Sequence, residues 1–499
     1  MDSAKIQKDF VVFLVAVMLT TAGYKAVFPL ASSLNASEAV GTISIAVGYL
    51  LSIIAILLFP ILESAFSLKK IIIVALAFYI LFILGNCSAT IFTLLPAGLL
   101  FGTAEGLFWT AGPFISVNFA LSKTKGRLSD FVKQRSRFTG YFFASANVGS
   151  ILGSGISFLF LFVDKTLSGK GNFTRNQDFS FCGANDCQDP NITLANIDQY
   201  TPAYPATRYS LIGFLALLEV IAICLLLVYL PKNINQNIDP LEGIENPTNT
   251  ASLQPSKLIC RTTIDKQQVN RQKFPQVLKA SLLHTFKLLI KKKHILVMLL
   301  PMYEGMLNGF FFADMTRAFV SCVLGVDKVG IVVIVYAAAN SISSYLAGQL
   351  AGKYGRNFPF LYAFLLHIAT FALCLYLKIT PDTSWTVYIT ALLIGANEGV
   401  WLTLTNEMYG SYFQKQGKYA YVAWTLMALC GMTIQLSLNR ILCVRQKIYL
   451  LIAVLPVALI SYGASYYIYV RRKLKSTSTD EHKMTAIDMD GNQVSQVLL

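Results

Sequence analysis

The sequence predicts an all-helical membrane protein with twelve spanning helices in two pseudo-symmetric six-helix bundles, and three observations carry that expectation. Of its 499 residues, 55% are hydrophobic and only 13% are charged, against roughly 25% charged in an ordinary soluble chain. Twelve stretches reach the about 20 apolar residues that a spanning helix needs, because lipid offers unpaired backbone groups no partner. The two halves also repeat short sequences at matching places.

The spans are expected near 10 to 30, 39 to 62, 70 to 88, 91 to 116, 138 to 163 and 208 to 230 in the first half. Those of the second half fall near 294 to 318, 328 to 351, 357 to 378, 386 to 408, 419 to 441 and 447 to 470. Lys5 and Lys8 precede the first apolar run, which lacks a small-residue cleavage site and reads as an uncleaved span. The domain plan is therefore an N-terminal bundle (1 to 230, with an exterior loop at 164 to 207), a cytoplasmic linker (231 to 293), a C-terminal bundle (294 to 470) and a tail (471 to 499). The start of the linker, rich in Asn, Pro and Gln, is expected to be disordered. Its end, from Phe274 to Lys293, spaces apolar residues helically among lysines, as in a basic amphipathic helix drawn to anionic lipid; a plain basic flank is the alternative.

The internal repeat is clearest in spans four and ten. L-L-F-G-T-A-E-G-L-F-W-T from Leu99 and L-L-I-G-A-N-E-G-V-W-L-T from Leu392 share six of twelve positions at an offset of 293, including Gly102 with Gly395, Glu105 with Glu398 and Gly106 with Gly399. V-G-T-I-S-I from Val40 matches V-G-I-V-V-I from Val329 at an offset of 289. Such internal symmetry is common among transporter folds.

A net charge of +15 raises the question of nucleic acid. Its distribution gives a topological answer instead. With a cytoplasmic N-terminus, the loop 121 to 137 faces the cytoplasm and carries six Lys or Arg, while the exterior turns 31 to 38 and 379 to 385 carry none. The lipid bilayer is the expected partner and nucleic acid is not. The sequons at Asn35, Asn86, Asn172 and Asn191 all fall on the exterior side in this orientation. Asn35, Asn172 and Asn191 are the candidate glycosylation sites, the last two being well clear of the bilayer. Cys182 and Cys187, in C-G-A-N-D-C of the exterior loop, predict a local disulfide, with bonds to Cys322 or Cys443 as the alternative. Two thiols without a nearby His are too few for zinc, and no metal, cofactor or catalytic residue is expected.

Four ionisable residues lie within spans: Lys25, Glu105, Glu304 and Glu398. A charge at mid-bilayer costs about 2.5 to 3.5 kcal/mol on insertion scales, so each should face a polar interior or a partner. Proton or cation handling is one reading. A buried network tying the bundles together is the other. Glu219, Glu407, Asp314 and Arg317 read as end-of-span or partner-paired charges.

After span eight, G-Q-L-A-G-K-Y-G-R resembles the cytoplasmic signature of the major facilitator superfamily, Gly-x-x-x-Asp-Arg-x-Gly-Arg. Gly348 reads as a close-packing position, Gly352 and Gly355 as turn residues, and Lys353 and Arg356 as ligands for helix-end carbonyls or headgroups. Gly352 replaces the usual acid, and the equivalent after span two keeps little beyond Lys69 and Lys70. The resemblance implies that spans one, four, seven and ten line a central cavity, on which the four span charges would converge. Within the superfamily, four stretches are similar to the unc-93-like family: C-G-A-N-D-C, Y-E-G-M-L-N-G-F-F-F-A-D-M-T-R-A-F-V-S-C from Tyr303, the turn at Gly348, and G-A-N-E-G-V-W-L-T-L-T-N-E-M-Y-G from Gly395. Their order and spacing, and the chain length, suit the unc-93 homologue A proteins.

What that resemblance implies is a non-enzymatic accessory subunit, since one family member regulates a two-pore potassium channel and another escorts Toll-like receptors. A plasma-membrane regulator of an ion channel is the leading expectation. A proton-coupled transporter using Glu105, Glu304 and Glu398 is the second, and an endosomal or endoplasmic reticulum trafficking chaperone is the third.

Overall fold

The computed structural model describes residues 3–34, 40–88, 90–124, 128–168, 179–188, 204–231, 283, 285–354, 356–376, 380–413 and 417–471. Six helices form the first half: α1 Ser3–Leu34, α2 Val40–Ala65, α3 Leu68–Gly85, α4 Ile91–Thr124, α5 Leu128–Ser168 and α6 Pro205–Tyr229. In the second half α7 runs as Leu299–Gly309, continues as a π-helix over Phe310–Ser321 and ends with Cys322–Leu324. It is followed by α8 Val329–Tyr354, α9 Asn357–Tyr376, α10 Trp385–Tyr412, α11 Gly417–Ser437 and α12 Val444–Ser465. Eleven helices among the described residues are long and apolar enough to cross a membrane. The twelfth, α11, contains the apolar run Val422–Ser437. The helices divide into the two six-helix bundles that the sequence predicts.

Local chemistry sets the helix ends. Ser67 accepts the Lys70 amide at the start of α3, Pro205 occupies the first turn of α6, and the Asn86 side chain donates to the Phe82 carbonyl to close α3 (2.9 Å).

The repeated glycines now have a physical reason. A Cβ on Gly102 would collide with the backbone of Gly48, and one on Gly395 with that of Tyr336. Gly106 sits similarly on the Ser52 carbonyl and Gly399 on that of Asn340. The identities in spans four and ten are thus the contact surfaces of two equivalent helix crossings, α2 on α4 and α8 on α10. Gly348 behaves otherwise: a Cβ there meets nothing within 4 Å, so its expected close-packing role is corrected.

The halves meet where α2 packs on α11, α5 on α8 and α1 on α7. At the end away from the N-terminus, Lys165 of α5 bonds Asp327 before α8 at 2.9 Å, and Phe28 of α1 meets Phe312 of α7 edge to face at 5.2 Å.

Residues 179–188 cap this same end of the second bundle. The expected local bridge between Cys182 and Cys187 does not form. Cys182 is bonded to Cys322 at the end of α7, with Cα atoms 5.8 Å apart, and Cys187 to Cys443 just before α12, with Cα atoms 4.1 Å apart. A 3₁₀ turn at Gly183–Asn185, opened by Gly183 at φ 69, sets each thiol against a different helix end. Asp186 completes the seat, since its carboxylate pairs with Arg317 at 2.5 Å and its carbonyl accepts the Val444 amide at 2.9 Å.

Candidate functional site: a charge cluster at mid-span

The four span charges come from α1, α4, α7 and α10, and none of the three carboxylates faces outward. Glu105, Glu304 and Glu398 are 8%, 5% and 4% exposed, values that exclude contact with acyl chains as their main environment. Lys25 is half-buried. Its ammonium lies within electrostatic reach of Glu105 in its own bundle and of Glu398 in the other, and Glu398 is in turn coupled to Glu304. The cluster therefore crosses the interface between the halves.

Aromatic and amide groups frame it. Lys25 Nζ sits 4.9 Å from the centroid of the Trp109 ring. The Trp109 indole donates to the Tyr24 hydroxyl (3.1 Å), and Tyr24 stacks on Tyr79 at 4.1 Å. Tyr79 and Trp109 border Glu105. In the second bundle Asn308 Nδ2 donates to Glu304 Oε1 (3.0 Å), the Tyr336 hydroxyl donates to Glu398, and Asn308 also borders Glu398. Tyr336 is held by stacking on Phe311 at 3.7 Å. The two sides are not alike: the first bundle contributes a cation, one carboxylate and aromatic rings, the second two carboxylates with an amide and a phenol.

Glu219, expected as an end-of-span or partner-paired charge, is not at a helix end. It lies mid-way along α6, wholly buried, against Thr20 and Gly23 of α1. Asp314 and Arg317 are partner-paired: Asp314 binds Lys447 of α12 and accepts from Gln435 of α11 (3.3 Å), and Lys447 also donates to Asn439. All of these side chains are buried, so the cap end of the second bundle contains two adjacent ion pairs.

Of the residues expected in the turn, Lys353 is exposed and lies 5.1 Å from the Tyr354 ring centroid, Arg356 is half-buried near Tyr412, and Gly352 lies within the last turn of α8, which continues to Tyr354, rather than in a turn between helices. Gly355 lies outside the described residues, as do the sequons Asn35, Asn172 and Asn191 and most of the expected basic helix before Lys293. Asn86 is described and is 1% exposed, its carbonyl accepting from Arg208 (2.8 Å), so its sequon is closed to a glycan. Among the described residues no three His, Cys, Asp or Glu side chains are placed to hold a metal.

Sequence reasoning missed Tyr24, Tyr79, Tyr336 and Lys447. Tyrosine in an apolar span carries no signal by itself. Lys447 was hidden at the start of a span, where a lysine reads as a flank.

The family model described as Major Facilitator Superfamily matches residues 199–435. "Protein unc-93 homolog A" of Xenopus laevis is 29% identical over 454 residues, which are 90% of this chain and 91% of that protein. In sequence the chain resembles the unc-93-like branch of the major facilitator superfamily over nine-tenths of its length. The Homo sapiens unc-93 homolog A is 26% identical over 89% of this chain and 90% of its own length. The Caenorhabditis elegans protein named "Putative potassium channel regulatory protein unc-93" is 22% identical, covering 90% of this chain and 59% of that protein. Of solved structures, a bacterial homolog of the human lysosomal transporter Spinster, inward-facing and unoccupied, superposes with a TM-score of 0.58 at 12% identity, covering 95% of this chain and 99% of that one. The nucleoside transporter NupG gives 0.57 at 12% identity, covering 92% and 100%. The structural likeness at this identity is one of fold. Relatives and fold are those of a multi-pass membrane protein.

Proposed function

We propose that this unc-93-like protein is a regulatory subunit of a membrane partner, a potassium channel at the plasma membrane, inserted with both termini in the cytoplasm. The observation that carries the reading is how the span charges are occupied. Asn308 donates to Glu304, Tyr336 donates to Glu398 and Lys25 lies over the Trp109 ring, so the polar groups that would meet a solute in a transporter are engaged by the protein's own side chains. The cap adds two covalent ties between the first-half loop and the second bundle. A transporter fold fastened at mid-depth and at one end suits a scaffold that presents fixed surfaces to a partner. The Caenorhabditis elegans relative named as a channel regulator supports the choice of partner class.

The test is co-expression with two-pore potassium channels, reading whole-cell current and co-purification. A change of at least about twofold in potassium current with a co-purifying channel is the expected result, a difference of about 0.4 kcal/mol at the level of populations. No change in current with any such channel, together with unaltered surface levels, overturns it.

A second reading has one observation in its favour. The cluster holds three carboxylates and one lysine, and an excess of two negative charges in a buried site calls for protons or cations. Proton-coupled transport of a small solute predicts a pH-gradient-driven flux that Glu105→Gln, Glu304→Gln and Glu398→Gln abolish while the protein still reaches the surface. Absence of any such flux in reconstituted vesicles rejects it.

A further inference from the structure

Three spans end together on the face that carries the N-terminus, and they leave a cleft of about 700 Å³ between them. Its walls are the first turns of α1 with Lys5, Lys8 and Asp9, the start of α3 with Lys69, and the end of α6 from Leu227 to Leu230. Lys69 reaches across to α6, donating to the carbonyls of Leu227 (2.8 Å) and Leu230 (2.6 Å). A cation there offsets the negative end of the helix dipole and keeps α6 from repelling an anion. Lys5 and Lys8 stand three residues apart on one face of α1, both exposed, with the Lys8 ammonium 5.7 Å from the Tyr229 ring centroid. Among the described lining residues Asp9 is the one carboxylate, and it is buried to 6% exposure. Three ammonium groups less that carboxylate give these residues a charge of +2.

The cleft has a second wall of different chemistry. Leu227 is 54% and Val228 74% exposed, and Val11 of α1, one turn deeper than Lys8, is 51% exposed. Apolar side chains so exposed on spanning helices face acyl chains. Basic groups at the mouth and a greasy surface immediately beneath match the two parts of a phospholipid, whereas a soluble anion would use only the first.

We propose that this cleft binds an anionic phospholipid, its headgroup phosphate between Lys5 and Lys8 and its chains along the α1 and α6 surfaces. Lys69 acts as a positioning residue, holding the end of α6 against α3. The site would fasten the N-terminal end of the first bundle to anionic lipid, and it is distinct from the mid-span cluster.

The test uses the full-length protein in nanodiscs of phosphatidylcholine containing a minor fraction of phosphatidylinositol bisphosphate, with lipid retained by the protein counted by native mass spectrometry. Both leaflets are open in a nanodisc, so the result is independent of insertion direction and of any channel partner. Lys5→Gln with Lys8→Gln is expected to lower retention about thirtyfold, the effect of two lysines at an anionic surface. Lys5→Arg with Lys8→Arg should keep it, and Arg445→Gln, an exposed cation at the cap end, should leave it unchanged. Equal retention by the double glutamine variant overturns the proposal. So does an equal loss in Arg445→Gln, which would mean general surface charge, or full displacement by soluble inositol trisphosphate, which would mean that the chains add nothing. Unaltered size-exclusion and melting profiles of the exposed-lysine variants confirm that folding is intact.

Discussion

Replacing Cys322 by Ser tests the cap directly. The bond from Cys182 to Cys322 spans 140 residues, and with the second bridge intact the shortest closed path is still 126 residues: five from Cys182 to Cys187 and 121 from Cys322 to Cys443. Chain-entropy arithmetic on a loop of that length gives about 5 kcal/mol. In a membrane the unfolded chain keeps its helices and its insertion, which holds loop ends closer, so about 2 to 4 kcal/mol is the expected loss. Cys182→Ser should cost the same, because either change breaks one bond. Thermal melting of the detergent-solubilised protein measures both. The connectivity can be read independently by inserting a protease site in the linker between 232 and 282 and cutting there. The halves should stay joined on a non-reducing gel and separate on reduction; Cys322→Ser alone should leave them joined, and Cys322→Ser with Cys443→Ser should free them. Separation of wild-type halves without reductant, with Cys322→Ser as stable as wild type, would show the bridge to be local and refute the reasoning.

Further outcomes follow from the same coordinates. Arg317→Ala should lower stability by about 3 to 5 kcal/mol, because it strands the buried Asp186 carboxylate. Pairing it with Asp186→Asn should recover much of that loss in a double-mutant cycle, and strictly additive losses would mean that the pair is uncoupled. Lys25→Met should destabilise the protein, with Glu398→Gln restoring part of the melting temperature; a worse double variant contradicts an electrostatic attraction between Lys25 and Glu398 across the halves. Gly102→Leu drives a side chain into the backbone of Gly48 and should abolish surface expression, whereas Gly348→Ala, facing open space, should melt within about 1 kcal/mol of wild type. If Gly348→Ala fails as badly as Gly102→Leu, the helix-crossing argument is wrong.

Apolar runs, their number and their lengths were legible in the linear sequence, because a bilayer imposes one strong rule on every spanning segment: backbone groups must bond within the helix. The repeat of Gly102 and Gly106 at Gly395 and Gly399 was legible for a similar reason, since equivalent helix crossings demand small residues at equivalent places. The rarity of charge in spans likewise singled out Lys25, Glu105, Glu304 and Glu398. What the sequence left open was which groups meet. Cysteine spacing favoured a bridge across four residues, yet the thiols join residues 140 and 256 positions away, and only the packed ends of α7 and α12 decide that. Glu219 looked like an end-of-span or partner-paired charge and lies mid-helix, Lys447 looked like a flank and is buried on Asp314, and Tyr336 gave no sign of its bond to Glu398. Insertion depends on each segment alone and so is written along the chain. Pairing of buried polar groups depends on the faces that segments turn toward one another, and that is settled only when the two bundles close.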